Sequence, residues 1–105
     1  LINEDVLQEK MLVSNEPGFY KPGSFGIRIE NLIRVQNMGK VGMRDLLGFE
    51  TLTLVPIDRR LIDFNLLARN QDRVEWLDHY HAQVNSTLSP YLEPDERDWL
   101  NEMTK

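Results

Sequence analysis

The stretch SNEPGFYKPGSFGIRIEN, from Ser14 to Asn31, contains two Pro-Gly pairs followed by a run in which apolar and charged residues alternate. The second pair, Pro22-Gly23, predicts the tip of a β-hairpin. If the tip is centred on Gly23, Glu16 lies seven positions before it and Glu30 seven positions after it. Side chains that face each other across an antiparallel ladder have Cβ atoms about 4.5–5.5 Å apart. The sequence therefore predicts two opposed carboxylates, set among apolar neighbours that could bury them.

Two opposed carboxylates repel each other unless a cation lies between them. Arg28 is on the same strand face as Glu30 and could join both glutamates in an ion-pair network on a half-exposed sheet. A divalent metal ion is the other candidate, because magnesium, manganese and zinc accept hard oxygen ligands. The spacing alone favours the half-exposed ion-pair network, because most charged side chains in sheets are solvated, and it leaves the metal interpretation open.

In the first part of the chain apolar residues recur at every second position, and in the later part they recur about every 3.6 residues. This change predicts an α+β protein in which antiparallel strands precede two helices. Strands are predicted over residues 11–16, 25–36 and 48–58, with a turn or loop over the glycine-containing segment 37–45. A helical stripe follows, formed by Val74, Leu77, His81, Val84 and Leu88. Either Asp63 or Asn65 could cap this helix, and a second helix is expected to begin near Pro94.

The composition narrows the class of protein. The chain has 105 residues, 41% of them hydrophobic and 28% charged, and a formal net charge of −5. The acidic balance argues against nucleic-acid or anionic-membrane partners. The absence of cysteine excludes disulfides and thiolate sites within the chain and suits a cytoplasmic protein. The chain opens on Leu1-Ile2 without an initiator methionine, so we expect a piece of a longer protein.

The motifs SNEPGFY (14–20) and GIRIEN (26–31) resemble the C-terminal signature of the aminopeptidase P group of pita-bread metallopeptidases. The later segments GFETLTLVPIDRRLID (48–63) and WLDHYH (76–81) are similar to the tail of the same group. The resemblance therefore runs from about Met11 to the C-terminus. It implies a single segment, residues 1–105, of a metallopeptidase catalytic domain, with strands at about 11–58 and helices at about 65–104.

The same resemblance implies a function and a site. The family releases the N-terminal residue from peptides with proline in second position, using two divalent ions, usually manganese. By resemblance Glu16 is a metal ligand that also handles a proton, Glu30 bridges both metals, and Arg28 holds substrate or ligands. A homodimer is implied for the whole enzyme. The family's two aspartates and its histidines lie upstream of the Glu-Pro-Gly motif, so we expect this segment to be inactive alone.

Several other residues invite a functional interpretation that the spacing does not support. His79 and His81 are two positions apart on a predicted helix and point in different directions, so His81 is expected to be a packed core residue. Nothing places Ser14 beside either histidine, so no serine nucleophile is predicted. Glu50 is expected to pair with Arg59 or Arg60.

A second functional hypothesis treats the chain as a non-catalytic packing or dimerisation module. Its amphipathic helices and aromatic residues would then form the contact surface, and its glutamates would serve only in salt bridges.

Overall fold

A computed structural model describes residues 4–105 of the chain. These residues form two compact units, one ending at Thr53 and the other spanning Leu54–Lys105. The first unit contains the strands and the second contains the helices. The prediction of a single catalytic-domain segment over residues 1–105 stays a prediction.

The first unit is built from five antiparallel strands: β1 (Leu12–Asn15), β2 (Gly18–Lys21), β3 (Phe25–Arg28), β4 (Asn31–Val41) and β5 (Arg44–Thr51). The strands β1, β4 and β5 form a sheet in the order β1-β4-β5, and β2 pairs with β3 in a separate ribbon. Among the described residues of this unit, Val35 is the buried apolar side chain, with 1% of its surface exposed.

The two ladders of the first hairpin share one register. Gly18 pairs with Arg28 in the β2–β3 ribbon, and Asn15 pairs with Asn31 where β1 meets β4. Both pairs are symmetric about Gly23, which has a positive φ of 68° and lies in the loop that joins β2 to β3. This confirms the predicted centre of the hairpin. Glycine adopts this left-handed conformation without the steric cost that a Cβ atom imposes.

The segment predicted as a turn or loop over residues 37–45 contains a turn of only two residues, within a second hairpin. Strand β4 continues to Val41, a turn over residues 42–43 follows, and β5 begins at Arg44. Gly42 has φ +62° in this turn, and Gly39 has φ +101° within a register irregularity of β4. Gly42 allows the tight turn and Gly39 the local bulge, so both glycines are part of the hairpin and not of a long loop. The strand predicted over 48–58 accordingly starts earlier, and β5 ends at Thr51.

The second unit contains three α-helices: α1 (Phe64–Leu67), α2 (Gln71–Leu88) and α3 (Pro94–Met103). The predicted start near Pro94 is confirmed, and Glu93 and Glu96 form a capping box there. Asp63 accepts hydrogen bonds from the backbone of Asn65 and Leu66, so it caps the short helix α1 and not the long helix α2. Within residues 4–105, none of the helices combines the length and apolar character needed to cross a bilayer.

The predicted stripe of α2 faces the core of the second unit. Leu77, His81 and Val84 are buried. Tyr80, which the stripe did not include, is also buried and joins Val84 and Leu100 in the apolar core. Residues that follow β5 and precede α3 pack against this core, namely Leu54, Ile57, Leu88 and Leu92.

Candidate functional site

The candidate site lies where the β1–β4 ladder gives way to the β2–β3 ribbon. Glu16 and Glu30 occupy opposed register positions in this gap, between the Asn15–Asn31 and Gly18–Arg28 pairs. Pro17 has no backbone N–H to donate, which interrupts the ladder. The Ile29 N–H still donates to the Pro17 carbonyl at 3.1 Å, so the two chains remain in register through the gap.

One guanidinium group contacts both carboxylates. Arg28 Nη1 lies 3.1 Å from Glu16 Oε2, and Arg28 Nη2 lies 3.1 Å from Glu30 Oε2. A positive group between the two carboxylates offsets their mutual repulsion. The structure thus brings together all three site residues that the sequence analysis selected.

The cluster is half exposed, as the ion-pair interpretation expected. The side chains of Glu16 and Glu30 are 38% and 43% exposed, and that of Arg28 is 48% exposed. Solvent screening at such exposure limits each ion pair to about 0–1 kcal/mol of stability. Both glutamates can therefore exchange Arg28 for another cation without a large loss of folding free energy.

Ser14 is a member of the cluster that sequence reasoning missed. Its hydroxyl donates a hydrogen bond to Glu16 Oε1, the oxygen that does not contact Arg28. The signal was present in the sequence, because residues two positions apart on a strand lie on the same face. The sequence analysis had considered Ser14 only as a nucleophile.

The chemistry of these donors fits part of a divalent-cation site. Two carboxylates supply hard oxygen ligands, and the contact of both with Arg28 shows that one cation can reach both. Among the described residues, no group of three or more His, Cys, Asp or Glu side chains is arranged to hold a metal ion. The chain could therefore contribute two ligands, and the remaining ligands would have to come from elsewhere.

His79 and His81 do not join this cluster. His79 Nδ1 lies 2.8 Å from the carbonyl oxygen of Glu75 on the exposed side of α2. His81 is fully buried, accepts a hydrogen bond from the Ile57 N–H at Nε2 (3.0 Å) and has Arg59 Nε 3.1 Å from Nδ1. This confirms the prediction of a packed core residue.

The surroundings of His81 keep its ring neutral. Burial is the main cause of a pKa below the ordinary value of 6.5, and the charge of Arg59 lowers it further. The hydrogen bond from Ile57 and the charge of Asp78 oppose this shift without reversing it. The neutral ring accepts a hydrogen bond at one nitrogen only, and a proton added to that nitrogen would face the N–H group that donates to it.

Glu50 pairs with a different arginine from those predicted. Its Oε2 lies 2.5 Å from Arg34 Nη2, directly across the β4–β5 ladder. The two arginines expected as partners bind other carboxylates, Arg59 pairing with Asp78 and Arg60 with Asp58. Glu50 is thus a structural ion-pair residue, as expected, but its partner was predicted wrongly.

Two family models match the sequence. Residues 2–37 match "Metallopeptidase family M24", and residues 45–105 match "C-terminal region of peptidase_M24". The first match includes both glutamates of the candidate site, and the second includes β5 from its second residue onward and all three helices.

Named relatives are similar over nearly the whole chain. A probable Xaa-Pro aminopeptidase P from Laccaria bicolor is 42% identical over 104 residues, which cover 94% of this chain and 16% of that protein. Aminopeptidase P2 from Arabidopsis thaliana is 44% identical over 102 residues, covering 93% of this chain and 14% of that protein. The chain thus spans about 16% of the length of the first curated relatives that it matches.

A solved structure has the same fold as this chain. The X-prolyl aminopeptidase from Caenorhabditis elegans, described as a cytosolic enzyme with a di-nuclear active site, matches with a TM-score of 0.81 and 35% identity. The match covers 94% of this chain and 17% of that enzyme.

Proposed function

The chain belongs to metallopeptidase family M24, and from this we propose that it supplies two metal-ligand carboxylates to a dinuclear aminopeptidase. The α+β architecture is the C-terminal part of the family's pita-bread fold. The proposed enzyme releases the N-terminal residue from peptides with proline in second position. The segment alone is proposed to be inactive, because its described residues offer too few metal ligands.

The observation that supports this proposal most directly is the convergence of Glu16 and Glu30 on one cationic group. Both carboxylates present their Oε2 atoms to Arg28 at 3.1 Å. The same geometry would let the pair hold positively charged metal ions when the other ligands are present. In the proposed roles, Glu16 would be a ligand of one ion and Glu30 would be a ligand of both.

Two divalent ions, proposed to be manganese, would supply Lewis-acid polarisation of the scissile carbonyl and activation of water. The residues of this chain would support that chemistry by moving a proton and by holding the ligands or the substrate. The Glu16 carboxylate is proposed to carry a proton during hydrolysis. Arg28 is proposed to hold the two carboxylates or the substrate in position, as its paired contacts allow. We also propose that the whole enzyme is cytoplasmic and homodimeric.

Manganese titration of the full-length protein that carries this segment tests the proposal. Glu30→Gln is expected to weaken manganese binding at least about 10-fold, because it removes a charged ligand while keeping the shape of the side chain. Glu50→Gln is the matched control, since Glu50 also pairs with an arginine but across the β4–β5 ladder. Equal manganese affinities in the Glu30→Gln variant and the wild type would overturn the proposal.

A non-catalytic packing module is the second candidate function. Both glutamates are in ion pairs, as that hypothesis requires, and the helical unit has an apolar groove of about 540 Å³ beside the exposed Trp99. Leu54, Leu88, Leu92 and Leu100 also line this groove. A full-length protein that folds correctly but binds no manganese would favour this candidate.

A further inference from the structure

The Glu16 carboxylate is contacted at both of its oxygens. The Ser14 hydroxyl donates to Oε1, and Arg28 Nη1 lies 3.1 Å from Oε2. Ser14 reaches this position because it lies two residues before Glu16 on the same face of the hairpin. The hydrogen bond runs from a neutral hydroxyl to a carboxylate, and hydrogen bonds to a charged partner are stronger than neutral ones.

Glu30 is held differently. Among residues 4–105, the contact shown for its carboxylate is the one between Oε2 and Arg28 Nη2. The terminal torsion of a glutamate has a broad energy profile, so one contact leaves the carboxylate plane free to turn. Two donors on opposite oxygens, as at Glu16, restrict that rotation. The two proposed metal ligands therefore differ in how well they are oriented before a cation binds.

We propose that Ser14 is a positioning residue that orients the Glu16 carboxylate for a divalent cation, an inference that rests on the proposed function. Ser14 acts through Glu16 and is not itself a ligand. Each carboxylate oxygen has two acceptor positions, so Oε1 can keep the hydrogen bond from Ser14 and still contact a cation. A carboxylate that is already oriented loses less conformational entropy when it binds the cation, and this strengthens binding.

The decisive comparison is between Ser14→Thr and Ser14→Val in the full-length protein. Threonine and valine have nearly the same shape and both favour strands, but only threonine keeps the hydroxyl. Isothermal titration with manganese is expected to show affinity within about 2-fold of wild type for Ser14→Thr and about 10-fold weaker for Ser14→Val, the usual loss when a group that orients a metal ligand is removed. Ser24→Ala, in the hairpin tip, is the matched control and should bind as wild type does.

The outcomes separate this inference from the proposed function. If Glu30→Gln weakens manganese binding but Ser14→Val and Ser14→Thr both bind manganese as tightly as the wild type, the role of Ser14 is refuted and the metal site stands. If Ser14→Val and Ser14→Thr are weakened equally, the effect is steric and the role of the hydroxyl is refuted. If the wild type itself binds no manganese, the proposed function and this inference fall together. Thermal melting of the metal-free proteins checks that every variant is folded.

Discussion

Two of the polar clusters among the described residues differ chiefly in their exposure to solvent. Glu16, Arg28 and Glu30 form a half-exposed network in the strand unit, whereas His81 is fully buried in the helical unit between Ile57 and Arg59. An exposed group can exchange its partner for another at little cost, but a buried polar group that loses its partner pays the full cost of desolvation. The exposed cluster is therefore suited to binding, and the buried one to holding the fold together.

The largest expected effect on stability lies in the helical core. Leu100→Ala should lower the free energy of unfolding of the second unit by about 3 kcal/mol, because Leu100 is 1% exposed and its removal leaves a cavity. Urea denaturation followed by tryptophan fluorescence reports on this unit, since Trp76 and Trp99 both lie within it. The control is Leu61→Ala, where the side chain is 85% exposed and the change should stay within about 0.5 kcal/mol. Equal losses in the two variants would contradict the assignment of the core.

An acid-dependent loss of stability should follow from the burial of His81. Its folded-state pKa lies below the ordinary 6.5, so the unfolded chain takes up a proton first as the pH falls. The contribution to stability is complete above about pH 6.5 and is lost as the pH falls from there towards the folded-state pKa, by up to about 1.4 kcal/mol per pH unit. Urea denaturation at a series of pH values between 7 and about 5.5 measures this slope.

Two variants show whether that slope belongs to His81. His79→Gln should keep it, because His79 is on the exposed side of α2. His81→Gln should flatten it, because the titrating ring is gone. A slope that persists in His81→Gln would mean that another group controls the acid response.

The smallest expected effect on stability belongs to the exposed cluster. Arg28→Gln should change the local stability of the hairpin by less than about 1 kcal/mol, because both of its ion pairs are half exposed. Hydrogen exchange of the Ile29 amide, which is bonded to the Pro17 carbonyl, reports on this part of the hairpin. A loss of several kcal/mol would show that the cluster is a structural element, which would remove the contrast with the helical core.

Errors in the sequence analysis have a common physical origin. The glycines of residues 37–45 predicted a turn or loop over the whole segment, whereas most of it belongs to the strands of the second hairpin. The register of that hairpin sets Arg34 directly opposite Glu50, a contact across strands that the predicted partners of Glu50 did not include. The apolar neighbours of Glu16 and Glu30 in the sequence do not bury them, since neighbouring residues alternate to the other face of a strand.

The sequence by itself determined the register of the first hairpin, the opposition of Glu16 and Glu30, and the start of α3. These features depend on turn residues, side-chain alternation and helix caps, which act over a few residues. Only the tertiary structure decided that the carboxylates are half exposed, that Ser14 holds one of them, and that His81 is enclosed between Ile57 and Arg59. Exposure and side-chain contacts depend on which elements pack together in space, and no local pattern in the sequence specifies that.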